Sequence, residues 1–339
     1  MDPLTHALTS LAVARAGRKW LPRVGVWIVV IAGIAPGLDA ASVWGGAGVY
    51  LRLHRGLLHG ILGAPILACA IAAIACAVAR KISAKREAVL LRFFPALAAS
   101  ALGIFVHIVL DYLSGPGVML LWPFSRRWWG CDVVRSLDPW LLALLVAGIL
   151  LPDLTSLVSE EIGERRKGPR GRIAAVVTLA LVAAYLGYRA ELRERAINLL
   201  TSSEYHGRAP LAAGAFPLSG SPFVWRGVVS TDNTIEELIV PVGQEDTFDG
   251  DRSMTYYKPQ ESPALDAAEN TRAAKEFLAY ARFPLATVDA SQTGWTVTFR
   301  DLRFSPSDFG SEDILAVVEI NSVPQIQSSR LRFSSGNSR

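Results

Sequence analysis

At 339 residues, the chain is long enough for two domains, or for a membrane domain joined to an extramembrane one. About half of the residues are apolar (51%), 19% are charged and the mean hydropathy is +0.32, which favours a membrane protein over a soluble one. The net charge of +4 is small and the basic residues come in short blocks between apolar runs, so we expect no nucleic-acid partner.

The first 190 residues contain apolar runs of membrane-spanning length. Pro3 to Ala16 is a short helix candidate that reaches about 21 Å, less than a hydrocarbon core of about 30 Å. Each later run is long enough to span: 24–44, 57–79, 88–113, 139–158 and 173–189. Proline within three of the runs predicts kinks or early helix ends, at Pro36, Pro65 and Pro95. We predict an all-α polytopic membrane domain over 1–190, with five to six membrane segments.

The loop charges predict the orientation. Three basic blocks occupy alternate loops and can all be cytoplasmic: Arg15/Arg18/Lys19/Arg23, Arg80/Lys81/Lys85/Arg86 and Arg165/Arg166/Lys167/Arg170/Arg172. A spanning first helix then places both termini outside. Six polar residues fall at the outer ends of their segments: His6, Asp39, His54, His59, His107 and Asp111. If the first helix does not span, His6 is separated from the others.

The composition changes after residue 190 and predicts a small extramembrane α+β domain over 191–321. Strands are expected at Phe223–Ser230, Ile235–Val242, Trp295–Phe299 and Asp313–Ile320. A helix should run from Ser262, its N-cap, to about Arg282. We expect the serine-rich tail, 322–339, to be disordered.

The histidines and acids of the apolar region form the main chemical motif. Four of the five histidines belong to it. His107 and Asp111 are four apart in a helical segment and share one face. His54 and His59 can converge only if His54 is in a loop and His59 is on the first helical turn, a bend that Gly56 permits.

With His6 and Asp39, these residues make four imidazoles and two carboxylates, an N/O ligand set that suits zinc, manganese or iron(II). Ionisable groups in membrane segments are costly, so a functional site is the default hypothesis. Each residue also has a simpler explanation: an interfacial histidine, a capping Asp39 or an Arg55 that snorkels to head groups.

An aromatic and basic loop, 114–138, follows Asp111. Its tryptophans are typical of an interfacial belt. Arg126 and Arg127 are better candidates for contact with an anionic head group or a phosphate.

Several motifs together resemble the YdjM/DUF457 family of bacterial inner-membrane proteins, described as metal-dependent hydrolases. They are Thr5-His6-Ala7, Pro36-Gly37-Leu38-Asp39, His54-Arg55-Gly56-Leu57-Leu58-His59 and His107 with Asp111. The resemblance covers about 1–160, and the C-terminal part is similar to the extra domain of longer members. It implies His6, Asp39, His54, His59, His107 and Asp111 as metal ligands. It also implies a distant similarity to the helical zinc-dependent phospholipase C and P1 nuclease group, which cleaves phosphoesters.

One position departs from the family pattern. The usual turn is Pro-Asp-x-Asp, and Gly37 replaces its first acid. This puts one ligand, or the activity, in doubt. Asp138, at the start of the fifth segment, is a conceivable substitute.

We therefore predict a multi-pass protein of the bacterial inner membrane, with the C-terminal domain extracytoplasmic. The predicted function is metal-dependent hydrolysis of a phosphoester or lipid-linked substrate, with membrane lipid as partner. Zinc is the first choice of divalent metal, with manganese or iron as alternatives. The expected catalytic residues are Asp39, Arg55 and Asp111, where Arg55 steadies anionic charge and either acid is ligand or general base. The alternatives are a proton or metal-ion relay, a transport protein, and a non-catalytic scaffold with a degenerate site.

Overall fold

The computed structural model describes residues 1–21, 23–83, 91–161, 171–243, 249–250, 253–304 and 313–334. The chain divides into two compact units. Met1–Ala40 and His54–Tyr188 form the first, and Ala41–Leu53 and Arg189–Arg339 form the second. Of the predicted basic blocks, Lys85, Arg86 and residues 165–170 lie outside the described ranges.

The N-terminal region is helical, with four stretches long and apolar enough to span a membrane in the described part of the chain. They are Val24–Gly45, Gly63–Ile82, Phe93–Leu113 and Arg172–Ser202. A further apolar stretch, Pro139–Leu151, forms the first part of a helix and is shorter than these four. The predicted count of five to six membrane segments is therefore not confirmed. In chain order the helices are α1 (Pro3–Ala16), α2 (Arg23–Ile34), α3 (Ala47–Leu53), α4 (Gly63–Ser83), α5 (Phe93–Leu113), α6 (Pro139–Glu161) and α7 (Arg172–Ser202).

Two predicted runs differ from the structure. The run 24–44 is α2 followed by a 3₁₀ segment, Ala35–Gly45, since Pro36 lacks the N–H that would continue the α-helix. The run 57–79 starts with a turn, and α4 begins only at Gly63. His59 therefore lies in a turn, and the prediction that it lies on a first helical turn is wrong.

Helix α2 packs closely on two other helices, each time at a glycine. A Cβ at Gly103 of α5 would lie 2.3 Å from the carbonyl oxygen of Val29 on α2, and a Cβ at Gly33 of α2 would lie 1.9 Å from Oγ of Ser10 on α1. Atoms this close would overlap, so only glycine allows the observed approach. Because His107 follows Gly103 by one turn, this contact brings its imidazole to the backbone of α2.

The second unit contains two four-stranded antiparallel sheets, with strand orders β1-β2-β3-β4 and β5-β6-β7-β8. The first sheet has β1 (Ala212–Pro217), β2 (Val224–Ser230), β3 (Thr234–Pro241) and β4 (Met254–Tyr257). The second has β5 (Pro284–Ser291), β6 (Gly294–Asp301), β7 (Ile314–Asn321) and β8 (Ile326–Phe333). All four predicted strands are present, as β2, β3, β6 and β7.

Two predictions for this unit were wrong. The expected helix from Ser262 to Arg282 is two helices, α8 (Pro263–Glu269) and α9 (Arg272–Leu278). Thr271 separates them, because its hydroxyl accepts the N–H of Ala274 and caps a new helix. The tail 322–339 is not disordered throughout, since its residues Ile326–Phe333 form β8.

The C-terminal part of α7 packs on the first sheet. Leu192, Ala196 and Leu200 join a core cluster with Trp225 on β2. Arg189 is buried beneath them, with its guanidinium 4.2 Å from the ring of Trp225 and a hydrogen bond to the carbonyl of Pro222. These contacts satisfy the charge and anchor α7 to β2.

Gly103→Ala should disturb the contact between α2 and α5. Because the new Cβ would overlap backbone, the helices must separate, at a cost of about 1–3 kcal/mol. We expect a lower thermal unfolding midpoint in detergent. Gly187→Ala in α7 is the control, because no atom of a neighbouring side chain or element in the described residues lies within 4 Å of its Cβ position, and alanine favours a helix over glycine by up to about 1 kcal/mol. Equal midpoints for the two variants would contradict the close packing.

Asp313→Asn should make the second unit more stable near neutral pH. Burial, with the nearby Asp301 carboxylate, raises the pKa of Asp313 to about 6, against about 3.9 in an unfolded chain. The folded state therefore binds the proton more tightly, and the free energy of unfolding falls as pH rises from about 4 to about 6. The thermal midpoint of the variant should exceed that of the wild type above about pH 6, and the gap should close towards pH 4. Asp289→Asn, at an exposed position, provides the control. A difference in midpoint between Asp313→Asn and wild type that does not change with pH would contradict a raised pKa at Asp313.

Candidate metal centre

The six predicted ligands and Arg55 form one buried cluster in the first unit. His6 is on α1, Asp39 is in the 3₁₀ segment, and His107 and Asp111 are on α5. The turn before α4 carries His54, Arg55 and His59. Every member is buried, from 2% exposure at Asp111 to 9% at His54.

Asp111 is the first hub of the cluster. Its Oδ1 lies 3.2 Å from Nε2 of His6, and its Oδ2 lies 3.1 Å from Nε2 of His59. Nε2 of His107 is 3.4 Å away. The amino group of Met1 forms an ion pair with the same carboxylate. Three imidazoles and the Met1 amino group thus converge on Asp111, and the guanidinium of Arg55 lies 3.7 Å away.

Asp39 is the second hub. Its carboxylate accepts hydrogen bonds from Nδ1 of His54 at 2.8 Å and from Nδ1 of His59 at 2.9 Å. The backbone N–H of Arg55 donates to it at 3.0 Å. His59 therefore bridges the two carboxylates, with Nδ1 towards Asp39 and Nε2 towards Asp111.

The hydrogen bonds of His107 determine which of its nitrogens is available. Nδ1 lies 2.7 Å from the carbonyl oxygen of Gly33, which can only accept, so Nδ1 carries the proton. In a neutral ring, Nε2 is then an acceptor. It faces Nε2 of His59 at 3.1 Å and the carboxylate of Asp111. Acceptor atoms this close require a shared positive charge, supplied by a proton or a metal ion.

The donor set fits a metal ion. His6, His107 and Asp111 each offer one ligand atom, and these atoms lie within 4.8 Å of one another. The rings of His6 and His107 stack at 3.7 Å. Nδ1 of His6 is buried without a hydrogen-bond partner among the described residues. Imidazole nitrogen and carboxylate oxygen are ordinary ligands for zinc, manganese and iron(II).

The two histidines of the turn lie outside the four candidate spans and differ in electrostatics. Burial is the main cause that lowers the pKa of His54, although Asp39 opposes it. Burial also acts to lower the pKa of His59, but its hydrogen bonds to Asp111 and Asp39 outweigh that effect and raise the pKa. The position between two carboxylates thus favours positive charge at His59.

Arg55 is buried in the cluster and does not snorkel. Its backbone has a φ of 56°, in the left-handed region that few side chains adopt. Its guanidinium lies 3.7 Å from Asp111 and donates to the carbonyl of Gly117 at 3.3 Å. A further, longer hydrogen bond of 3.4 Å reaches Oγ of Ser114. This conformation brings one positive charge beside Asp111.

The loop after α5 covers the turn that carries the histidines. The N–H of Met119 donates to the carbonyl of Arg55, and the N–H of Ile61 donates to that of Leu120. Arg127 is exposed and stacks on Trp129 at 4.4 Å. Arg126 is also exposed. Asp138 caps α6 through the N–H of Leu141 at 2.9 Å, so its carboxylate already has a structural use.

Sequence reasoning missed the amino group of Met1, which pairs with Asp111, and two further contributors. Ser114 contacts Arg55, and the carbonyl of Gly33 orients His107. No sequence pattern distinguishes Ser114 from the other polar residues of its loop. The Gly33 carbonyl is a backbone group, so only the packing of α2 on α5 reveals it.

The fold and the cluster together define a membrane protein with several apolar helices and a buried His/Asp site that could hold a metal ion. The model of the YdjM inner membrane protein family matches residues 1–196, more than half of the chain. The chain belongs to this family, which confirms the resemblance found in the sequence. Comparisons with curated proteins and with solved structures gave no match.

Proposed function

We propose that this protein is a membrane-bound, metal-dependent hydrolase of a phosphoester or lipid-linked substrate. The observation that carries the proposal is the convergence of acceptor atoms at Asp111. Nε2 of His107, Nε2 of His59 and Oδ2 of Asp111 lie within 3.4 Å of one another. A divalent cation satisfies such a set, and buried charge without a partner is costly.

His6, His107 and Asp111 would hold the ion, with Nε2 of His59 next to them. When bound, a divalent ion supplies a water of lowered pKa and polarises a phosphoryl oxygen. Asp39 would orient His54 and His59, as carboxylates behind metal-binding histidines do. The three hydrogen bonds that Asp39 accepts weaken it as a base, which favours this orienting role over general-base catalysis.

Arg55 would steady the developing negative charge of the substrate, because its guanidinium already lies beside Asp111. The substrate class follows from location: a site among membrane helices meets lipids or lipid-linked phosphoesters. The alternation of basic loops favours the extracytoplasmic face for both the site and the second unit. Zinc is our first choice, with manganese and iron(II) as alternatives.

A proton relay is the second candidate. Hydrogen-bond distances connect His54, Asp39, His59, Asp111 and His6 without a break. Such a chain can pass protons as readily as it can bind metal. Proton flux into proteoliposomes by protein stripped of metal would favour the relay.

Metal analysis tests the site directly. The purified protein should contain about one or more divalent ions per chain, because structural and catalytic sites of this type bind tightly. His107→Ala and His6→Ala should lose the ion and hydrolysis of a phosphodiester substrate. Asp39→Asn should weaken metal binding by about 10–100-fold.

His206→Ala is the matched control, because His206 belongs to the second unit. It should keep its metal. Equal metal content in His107→Ala and wild type would refute the proposed ligands, and metal-free wild type that hydrolyses at full rate would refute the metal-dependent reaction.

Gly37→Asp should strengthen metal binding. The only atom within 4 Å of a Cβ at Gly37, in the described residues, is Cε1 of His107, at 3.7 Å. A carboxylate there would have room and would point at the cluster. Gly37→Ala adds the same Cβ without a charge and serves as control. Titration with zinc should show tighter binding, or one more ion, for Gly37→Asp alone; identical titrations would show that position 37 does not reach the ion.

A further inference from the structure

The second unit contains a pocket of about 560 Å³ that the proposed hydrolase does not use. Three parts of the unit line it: the segment Gly45–Arg52, helix α9 and strand β8. Gly46 has a φ of 85°, and within the part of the chain that the structure describes no neighbouring atom lies within 4 Å of its Cβ position. This volume is within the range of small-molecule sites, about 300–1,000 Å³.

The lining is strongly basic. Arg52, Arg272 and Arg330 come from three separate stretches of the chain. Glu276 is the one carboxylate in the described lining, and it lies 3.6 Å from Arg52 and 2.9 Å from Arg272. Arg330 pairs with Glu319, outside the pocket, at 3.2 Å. The lining therefore has a formal charge of three minus one, or +2.

We propose that this pocket binds a phosphate group, carried by a free phosphate or by a lipid head group. The planar guanidinium fork matches the geometry of phosphate oxygens, and each arginine has five N–H donors. Two arginines can share Glu276 and still donate to a ligand. The exposed hydroxyl of Ser329 adds a further donor at the wall. An anionic phosphate group would meet three guanidinium groups against two carboxylates, Glu276 in the lining and Glu319 beside it.

Calorimetric titration of the full chain in a zwitterionic detergent tests the proposal. One arm uses inorganic phosphate, and a second uses dihexanoyl phosphatidylglycerol below its micelle concentration, with dihexanoyl phosphatidylcholine for comparison. We expect saturable binding in at least one of the first two arms. Binding of inorganic phosphate would identify a free-phosphate site, and binding of the glycerol lipid alone would identify a head-group site.

Variants show whether the pocket is responsible. Arg272→Gln and Arg330→Gln should each weaken binding roughly tenfold, as expected for loss of a charge-assisted hydrogen bond. Glu276→Gln should tighten it, a gain that a merely unfolded variant cannot give. Arg195→Gln removes an equally exposed charge, on α7 and paired with Glu191, and should bind like wild type.

Three results would overturn the proposal. One is the absence of saturable binding in both anionic arms. Another is equal affinity for wild type and the Arg272→Gln/Arg330→Gln double variant. The third is an effect of Arg195→Gln as large as that of the pocket variants, because attraction would then depend on overall charge alone.

Discussion

The central constraint of the first unit is the need for positive charge between buried acceptors. Asp111 is 2% exposed and meets three imidazoles. Water cannot solvate this carboxylate, so the protein must supply cations or protons around it. Arg55 and the amino group of Met1 provide part of that charge. The backbone strain at Arg55 is consistent with this demand, because its left-handed φ accompanies both a bond to Asp39 and an approach to Asp111.

The second requirement is close backbone packing. His107 can donate to the carbonyl of Gly33 only because Gly103, which has no Cβ, lets α5 approach the backbone of α2. The hydrogen bond then directs Nε2 of His107 towards Asp111. Gly103 therefore affects the orientation of the His107 ring, although it lies one helical turn away from that residue. Residues that never touch the proposed ion still decide which nitrogen is available to it.

The positions of the polar residues were predictable, because ionisable side chains stand out in apolar runs and His107 and Asp111 share a helical face. The conformation of the six-residue run from His54 to His59 was not predictable in full. We expected His59 on a first helical turn, whereas both histidines lie in a turn that their hydrogen bonds to Asp39 stabilise. Strand β8 was missed because serine and arginine replace apolar residues on its exposed edge, where charge protects against pairing. In the sequence, nothing distinguishes Thr271 from a residue within a helix. Only the structure shows that its hydroxyl caps the start of α9.

The two carboxylates of the cluster have different surroundings, and this difference argues for different tasks. Asp39 accepts from two imidazoles and a backbone N–H, so its lone pairs are already used for orientation. Asp111 instead lies among Nε2 atoms and positive groups, and it belongs with His6 and His107 to the group that could hold a metal ion. Gly37 lies two residues before Asp39, and the space at its Cβ position opens towards His107. The cluster could thus hold one ion at Asp111 without an acid at position 37.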